Sequence, residues 1–82
     1  MVAITLLDAA ILDFLYTEGY KSKINPVKQT DIALDIKQIS LYKRLTVLRG
    51  AGLIEQGLLN GHAYTYYITP KGIDFYLEVV DA

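Results

Sequence analysis

The sequence predicts an α+β domain, mainly α, on three observations. Apolar residues recur at helical spacing in separate segments, several of which open on Thr or Ser and two of which close on Gly. Asn60-Gly61 lies between two stretches rich in aliphatic and aromatic residues. That pair is a strong hairpin signal, because a type I′ turn needs positive φ at both central positions. Thr69-Pro70 marks a last helix start, with proline at the first helical position, where its missing N–H leaves no hydrogen bond unmade.

The first helix is expected over residues 5–18. Thr5 is its N-cap, Asp8 an acid in its first turn, and Gly19 its C′ residue; Leu7, Ile11, Phe14 and Leu15 form its apolar stripe. Residues 20–28 read as a loop with a short extended piece, since Pro26 biases Asn25 away from helix. Thr30 is the expected N-cap of a second helix reaching about residue 36, with Asp31 at N1 and Ile32, Ala33 and Ile36 inward. A turn at 37–39 leads to Ser40, which caps a third helix over residues 41–49. There Leu41, Leu45 and Leu48 fall on one stripe, with Tyr42, Lys43, Thr46 and Val47 opposite and Arg44 and Arg49 on the flanks. Gly50 and Gly52 stop this helix. Strands at 53–59 and 62–69 pair across Asn60-Gly61, so that Leu53 opposes Ile68. Leu53, Tyr64, Tyr66 and Ile68 then share one face, and Ile54, Thr65 and Tyr67 the other, with Gly57 a weak point or bulge. The last helix runs from its Thr69 cap to about residue 80.

Composition narrows the function classes. At 82 residues, with no repeat and no linker-like stretch, the chain reads as a single domain over 1–82. Its 52% hydrophobic content excludes disorder, and the absence of cysteine excludes disulfides, thiolate metal sites and a Cys nucleophile. No unbroken apolar run is long enough to span a bilayer, and the N-terminal stretch has no Lys or Arg ahead of Asp8 and Asp13 to form a signal peptide's basic region. A cytoplasmic location with no membrane partner is the expectation. The acids are scattered, no glycine-rich phosphate loop occurs, and His62 is the only histidine. The chain is therefore expected not to be an enzyme and to use neither metal nor cofactor. His62 reads as an exposed turn residue.

The net charge of −1 hides a strong asymmetry. Residues 20–49 hold seven of the eight basic residues (Lys21, Lys23, Lys28, Lys37, Lys43, Arg44, Arg49) against two acids, Asp31 and Asp35. Both flanking segments are acidic. Local asymmetry of this kind steers a polyanion whatever the total charge.

Two short helices joined by a tight turn, the second amphipathic with a basic outer face, are the ingredients of a helix-turn-helix, and a hairpin directly after it makes a wing. Here the sequence resembles the winged helix-turn-helix transcriptional regulators of the MarR/PadR/ArsR type, with a three-helix core, a β-hairpin wing and a C-terminal helix. The resemblance is carried by Leu41-x-x-x-Leu45-x-x-Leu48 followed by Ala51-Gly52-Leu53-Ile54-Glu55, and by Tyr66-Tyr67-Ile68-Thr69-Pro70-Lys71-Gly72. It implies that the helix from Ser40 enters the major groove of double-stranded DNA. Tyr42, Lys43 and Thr46 would then meet base edges or phosphates, while Gln38, Ser40, Arg44 and Arg49 hold phosphates and Lys28 and Thr30 touch the backbone. The turn at Lys37-Gln38-Ile39 is about two residues shorter than the common pattern, which leaves open whether Ile39 or Leu41 fills the first buried slot. The wing tip, with no Lys or Arg, implies at most a backbone contact.

A plain solvated helix face is the lesser alternative for Lys43 and Arg44. Tyr42 separates the readings, because a large aromatic opposite a leucine stripe has little reason to be exposed unless it touches a partner. Tyr64 and Tyr66 read as core-facing. The first and last helices are apolar beyond one stripe, so a homodimer through Leu12, Tyr16, Phe75, Tyr76, Val79 and Val80 is expected, setting two recognition helices ~34 Å apart. The sequence-level conclusion is a sequence-specific DNA-binding protein, a small dimeric regulator of the repressor type. The alternatives are a winged-helix protein-interaction module, or a plasmid or viral partition or replication factor.

Overall fold

In the computed structural model, which describes residues 5–58 and 64–81, the chain opens with α1 (Leu6–Thr17) behind a reciprocal cap. The Asp8 N–H donates to Thr5 Oγ1 and the Thr5 N–H donates to Asp8 Oδ2, both at 3.1 Å. The buried stripe of α1 is Asp8, Ile11, Leu12 and Leu15. The expected stripe omitted Asp8 as polar and so was rotated toward Leu7 and Phe14, which are only partly buried. Gly19, at φ 83°, ends the helix as expected. The Tyr20 N–H reaches the Leu15 carbonyl at 2.9 Å and the Gly19 N–H reaches Tyr16 at 3.3 Å, a Schellman closure.

After β1 (Val27–Lys28), the expected second helix is absent. A single 3-10 turn, Gln29–Asp31, takes its place, and its preceding residue, Lys28, makes no side-chain cap. Thr30 is therefore not an N-cap. Beyond the turn, the Leu34 N–H bonds back to Ile32 and the Ile36 N–H to Leu34, each at 2.9 Å. These tight turns hold the segment extended. Ile32 is buried and Leu34 and Ile36 half-buried, while Ala33 and Asp35 are exposed. The inward spacing is two rather than three or four, and a helix of so few residues has little to offset its nucleation cost.

The next helix, α2 (Gln38–Gly50), starts earlier than expected, with Lys37 at the cap position and no side-chain cap bond. Ser40 is thus the third helical residue rather than the cap. Leu41, Leu45 and Leu48 are fully buried as expected, and Ile39 is 65% exposed, which settles the register in favour of Leu41. A second Schellman closure ends α2 at Gly52, φ 79°, where the Leu53 N–H bonds to Leu48 at 3.1 Å. Lys71 Nζ donates to the Ala51 carbonyl at 3.0 Å, placing a cation at the negative end of the helix.

β1, β2 (Ile54–Gln56) and β3 (Thr65–Ile68) form an antiparallel sheet in the order β1-β3-β2. Ile54 opposes Ile68 and Gln56 opposes Tyr66. This differs by one residue from the expected register, so Ile54, and not Leu53, shares the core face with Tyr66 and Ile68. Leu53 is still buried, because the turn after α2 carries it inward: its N–H bonds to Leu48 and its carbonyl accepts from the Thr69 N–H. A Cβ on Gly57 would lie 2.7 Å from Pro26 Cβ, so the absence of a side chain lets β2 run past the Pro26 ring. The expected Asn60-Gly61 turn and its flanking Leu59 and His62 lie outside the described residues.

Thr69 and Pro70 start α3 (Pro70–Asp81) as expected. Thr69 Oγ1 accepts from the Gly72 N–H at 3.0 Å and donates to the Gly52 carbonyl at 2.6 Å, tying the start of α3 to the end of α2. One core joins Ile11, Leu12 and Leu15 to Leu41, Leu45, Leu48, Ile54, Tyr66 and Ile68. Leu12, expected at a dimer interface, belongs to that core and is 1% exposed. Tyr16, Phe75 and Tyr76 also pack on their own chain's core, with the Tyr16 and Tyr76 rings 5.0 Å apart and the Tyr76 hydroxyl donating to Asp13. Val79 and Val80 remain exposed.

A Cβ on Gly72 would fall 1.9 Å from the Leu53 carbonyl oxygen, whereas Gly50 has open space around it. Gly72→Ala is expected to destabilise by ~1–3 kcal/mol, lowering the thermal midpoint by about 5 °C or more. Gly50→Ala is expected to leave the midpoint unchanged or raise it slightly. Parallel thermal denaturation of the two variants checks both outcomes.

Candidate nucleic-acid interface

Helix α2 holds Lys43, Arg44 and Arg49 and no acid. Its leucine stripe fixes which side faces out. On that outer side Ile39, Lys43 and Thr46 stand in line at i, i+4 and i+7, with Tyr42 50% exposed and Val47 40% exposed beside them. Thr46 Oγ1 donates back to the Tyr42 carbonyl at 2.9 Å. Lys43 has no ion-pair partner among the described residues. With no side-chain acceptor at Lys37, the first N–H groups of α2 are left for solvent or an external anion.

The other expected contact residues fall in different settings. Arg44 turns back into the protein, where its Nε and Nη2 meet Asp8 Oδ1 and Oδ2 at 2.8 and 2.6 Å. This bidentate pair commits the guanidinium to α1, so Arg44 positions α2 rather than offering a free phosphate contact. Arg49 pairs with Glu55 at 3.2 Å and Lys28 with Asp31 at 3.7 Å, both at the surface, where such pairs are weak and exchangeable. Gln38 is exposed at the first position of α2 and accepts from Gln29 Nε2 at 3.1 Å. Ser40 is half-buried and Thr30 exposed on the 3-10 turn. Thus Gln38, Tyr42, Lys43, Thr46 and Arg49 belong to one helix surface, flanked by Lys28 and Thr30 on the preceding segment.

Two residues escaped the sequence reading. Ile39 lies among the outward residues and offers an apolar contact of the kind that thymine methyl groups accept. Asp8 is wholly buried although charged. Burial alone would push its carboxyl up, but the Arg44 hydrogen bonds, the Thr5 backbone N–H and the Arg44 charge outweigh it and hold the group below the ordinary carboxylate value. The signal available in sequence was Asp8 sitting at i, i+3, i+4 and i+7 with Ile11, Leu12 and Leu15. Tyr64, expected to face the core, is 54% exposed, whereas Tyr66 is 2% exposed as expected.

Among the described residues no cluster of three His, Cys, Asp or Glu side chains could hold a metal, and no helix is long and apolar enough to cross a membrane. A cavity of about 230 Å3 beside β1, lined by Tyr20, Pro26, Val27, Lys28, Asp31, Leu58 and Thr65, is below the usual ~300–1,000 Å3 of a small-molecule site.

Because the Asp8 carboxyl is held low, the charged pair contributes fully above the unfolded-state value of about 3.9, and its contribution is lost as pH falls through the lower folded-state value. Arg44→Met leaves Asp8 buried without a counter-charge and is expected to lower the urea midpoint at neutral pH. In Asp8→Asn the acid-dependent part of the loss disappears. Urea unfolding of wild type and both variants between neutral pH and strong acid reads both effects.

No known family model matches the chain, and no characterised protein sequence matches it. The narrower resemblance to the MarR, PadR and ArsR regulators therefore rests on its motif residues alone. Among solved structures the fold is similar to that of TubR from Bacillus megaterium pBM400, with a TM-score of 0.86 at 21% sequence identity, over 96% of this chain and 89% of that one. Helices α1–α3 with the three-stranded sheet therefore form a winged helix-turn-helix, in which one 3-10 turn replaces the first helix of the motif.

Proposed function

We propose that the chain binds double-stranded DNA, with α2 as the recognition helix lying in the major groove. The observation that carries this reading is the outer side of α2. It is free of acids, presents Ile39, Lys43 and Thr46 in line beside Tyr42, and is held from within by three leucines. Lys43 is the unpaired cation for a base edge or phosphate, and Tyr42, Thr46 and Ile39 supply hydroxyl and apolar contacts to bases. Gln38, Ser40 and the open N–H groups of α2 serve phosphate oxygens, as do Arg49, Lys28 and Thr30 once their weak surface pairs exchange. Such a protein works by occupying DNA, as a regulator of transcription or as a partition or replication factor.

A homodimer is part of the proposal, on a smaller surface than the sequence implied. With Leu12 in the core and Tyr16, Phe75 and Tyr76 packed within the chain, the apolar residues that a second copy can cover on α3 are Leu77, Val79 and Val80. These lie on the acidic C-terminal segment, so a dimer formed there keeps the basic α2 surfaces free.

Binding to a labelled 30-base-pair duplex of random sequence is expected to weaken steeply with salt. Lys43→Ala is expected to weaken it about tenfold at low salt and to reduce the salt slope by about one. Absence of binding by wild type at low salt would leave the protein-interaction reading in its place. Sedimentation equilibrium at micromolar concentration is expected to show twice the 9.2 kDa chain mass, and Val80→Asp to return it to one.

A further inference from the structure

We infer that Gln29, Gln38, Tyr42 and Tyr64 form a second, uncharged contact strip for the DNA backbone, where Gln29 joins the first turn of α2 to the start of β3. The strip rests on the reading that α2 meets DNA, and it adds Gln29 and Tyr64, which no motif marked.

Backbone and side-chain bonds bring these four residues together. The Gln29 N–H donates to the Tyr64 carbonyl at 3.4 Å, so the end of β1 lies against the residue that precedes β3. Gln29 Nε2 then donates to both the backbone carbonyl and the side-chain Oε1 of Gln38, each at 3.1 Å, linking that edge to the first residue of α2. Tyr42 stands one helical turn after Gln38 on the same side of α2. Tyr42 and Tyr64 are 50% and 54% exposed. Tyr64 and Tyr42 are thus the two ends of a chain of bonds that runs through Gln29 and Gln38.

The chemistry of the strip suits phosphate oxygens. It offers two phenol O–H donors and the Gln38 Nε2 group, which has no protein acceptor among the described residues. Neutral donors of this kind fix the register of a protein on a duplex without reading its sequence. A purely structural tyrosine at position 64 would be expected to bury its ring, as Tyr66 does.

The test measures wild type, Tyr64→Phe, Tyr64→Ala, Gln29→Ala and Lys43→Ala by fluorescence anisotropy on the same random 30-base-pair duplex at two salt concentrations, with thermal midpoints alongside. Tyr64→Phe removes only the hydroxyl and is expected to weaken binding about three- to tenfold on any sequence, with the midpoint kept. Its salt slope is expected to equal that of wild type, because no charge is lost, while that of Lys43→Ala falls. If Tyr64→Phe and Gln29→Ala bind like wild type while Lys43→Ala weakens, the strip is refuted and the role of α2 stands. Full affinity in Tyr64→Phe with loss in Tyr64→Ala would assign the ring rather than the hydroxyl, which also overturns the proposal. No binding by wild type removes both readings.

Discussion

The pairing of Asp8 with Arg44 is the constraint on which the arrangement of helices turns. A carboxylate with no solvent exposure at the first turn of α1 is tolerable only because the Thr5 N–H and a bidentate guanidinium satisfy it. The guanidinium comes from the middle of α2, so the requirement that Asp8 be neutralised is also a requirement on where α2 lies. The leucine stripe says which side of α2 is inward, but an apolar stripe alone tolerates sliding and rotation. A forked, directional ion pair tolerates much less. The outward row of Ile39, Lys43 and Thr46 inherits its direction from this pair.

A second junction fixes the other end of α2. The Gly52 carbonyl accepts the Thr69 hydroxyl, the Leu53 carbonyl accepts the Thr69 N–H, and the bare Cα of Gly72 lies under Leu53. The same few residues thus end α2, start β2, end β3 and cap α3. This explains why the motif around Ala51-Gly52-Leu53 and that around Thr69-Pro70-Lys71-Gly72 carry so much of the family resemblance: they are two halves of one knot. The outer side of α2 sits on a frame held at both ends of the helix.

What was legible in the sequence was local. Thr5, Gly19, Gly52 and Thr69-Pro70 act through bonds to residues a few positions away, and each did in the structure what its type implied. The Leu41, Leu45 and Leu48 stripe was legible because three leucines at helical spacing have one inward solution. Interactions between distant residues were not legible. Arg44 looked like a free cation because Asp8 lies 36 residues earlier. The strand register moved by one because the turn after α2 already buries Leu53 and because Gly57 must pass Pro26. The cap-like Thr30-Asp31 pair suggests a helix over 30–36, but the inward residues Ile32, Leu34 and Ile36 alternate as in a strand. The leftover apolar faces of the first and last helices overstated a dimer interface, because much of that surface is consumed where α1 and α3 pack together through Tyr16 and Tyr76.

Lys71 has a quieter consequence. It is the only basic residue after Arg49, and the structure turns it onto the Ala51 carbonyl at the end of α2. The α1–α3 side carries Asp13, Glu18, Asp74 and Glu78 beside Lys21, whose ammonium lies 4.2 Å from the Tyr16 ring centre. Charge is therefore spread unevenly, with three basic residues and no acid on α2. A molecule with charge so divided feels a torque in the field of any polyanion, whatever its total charge.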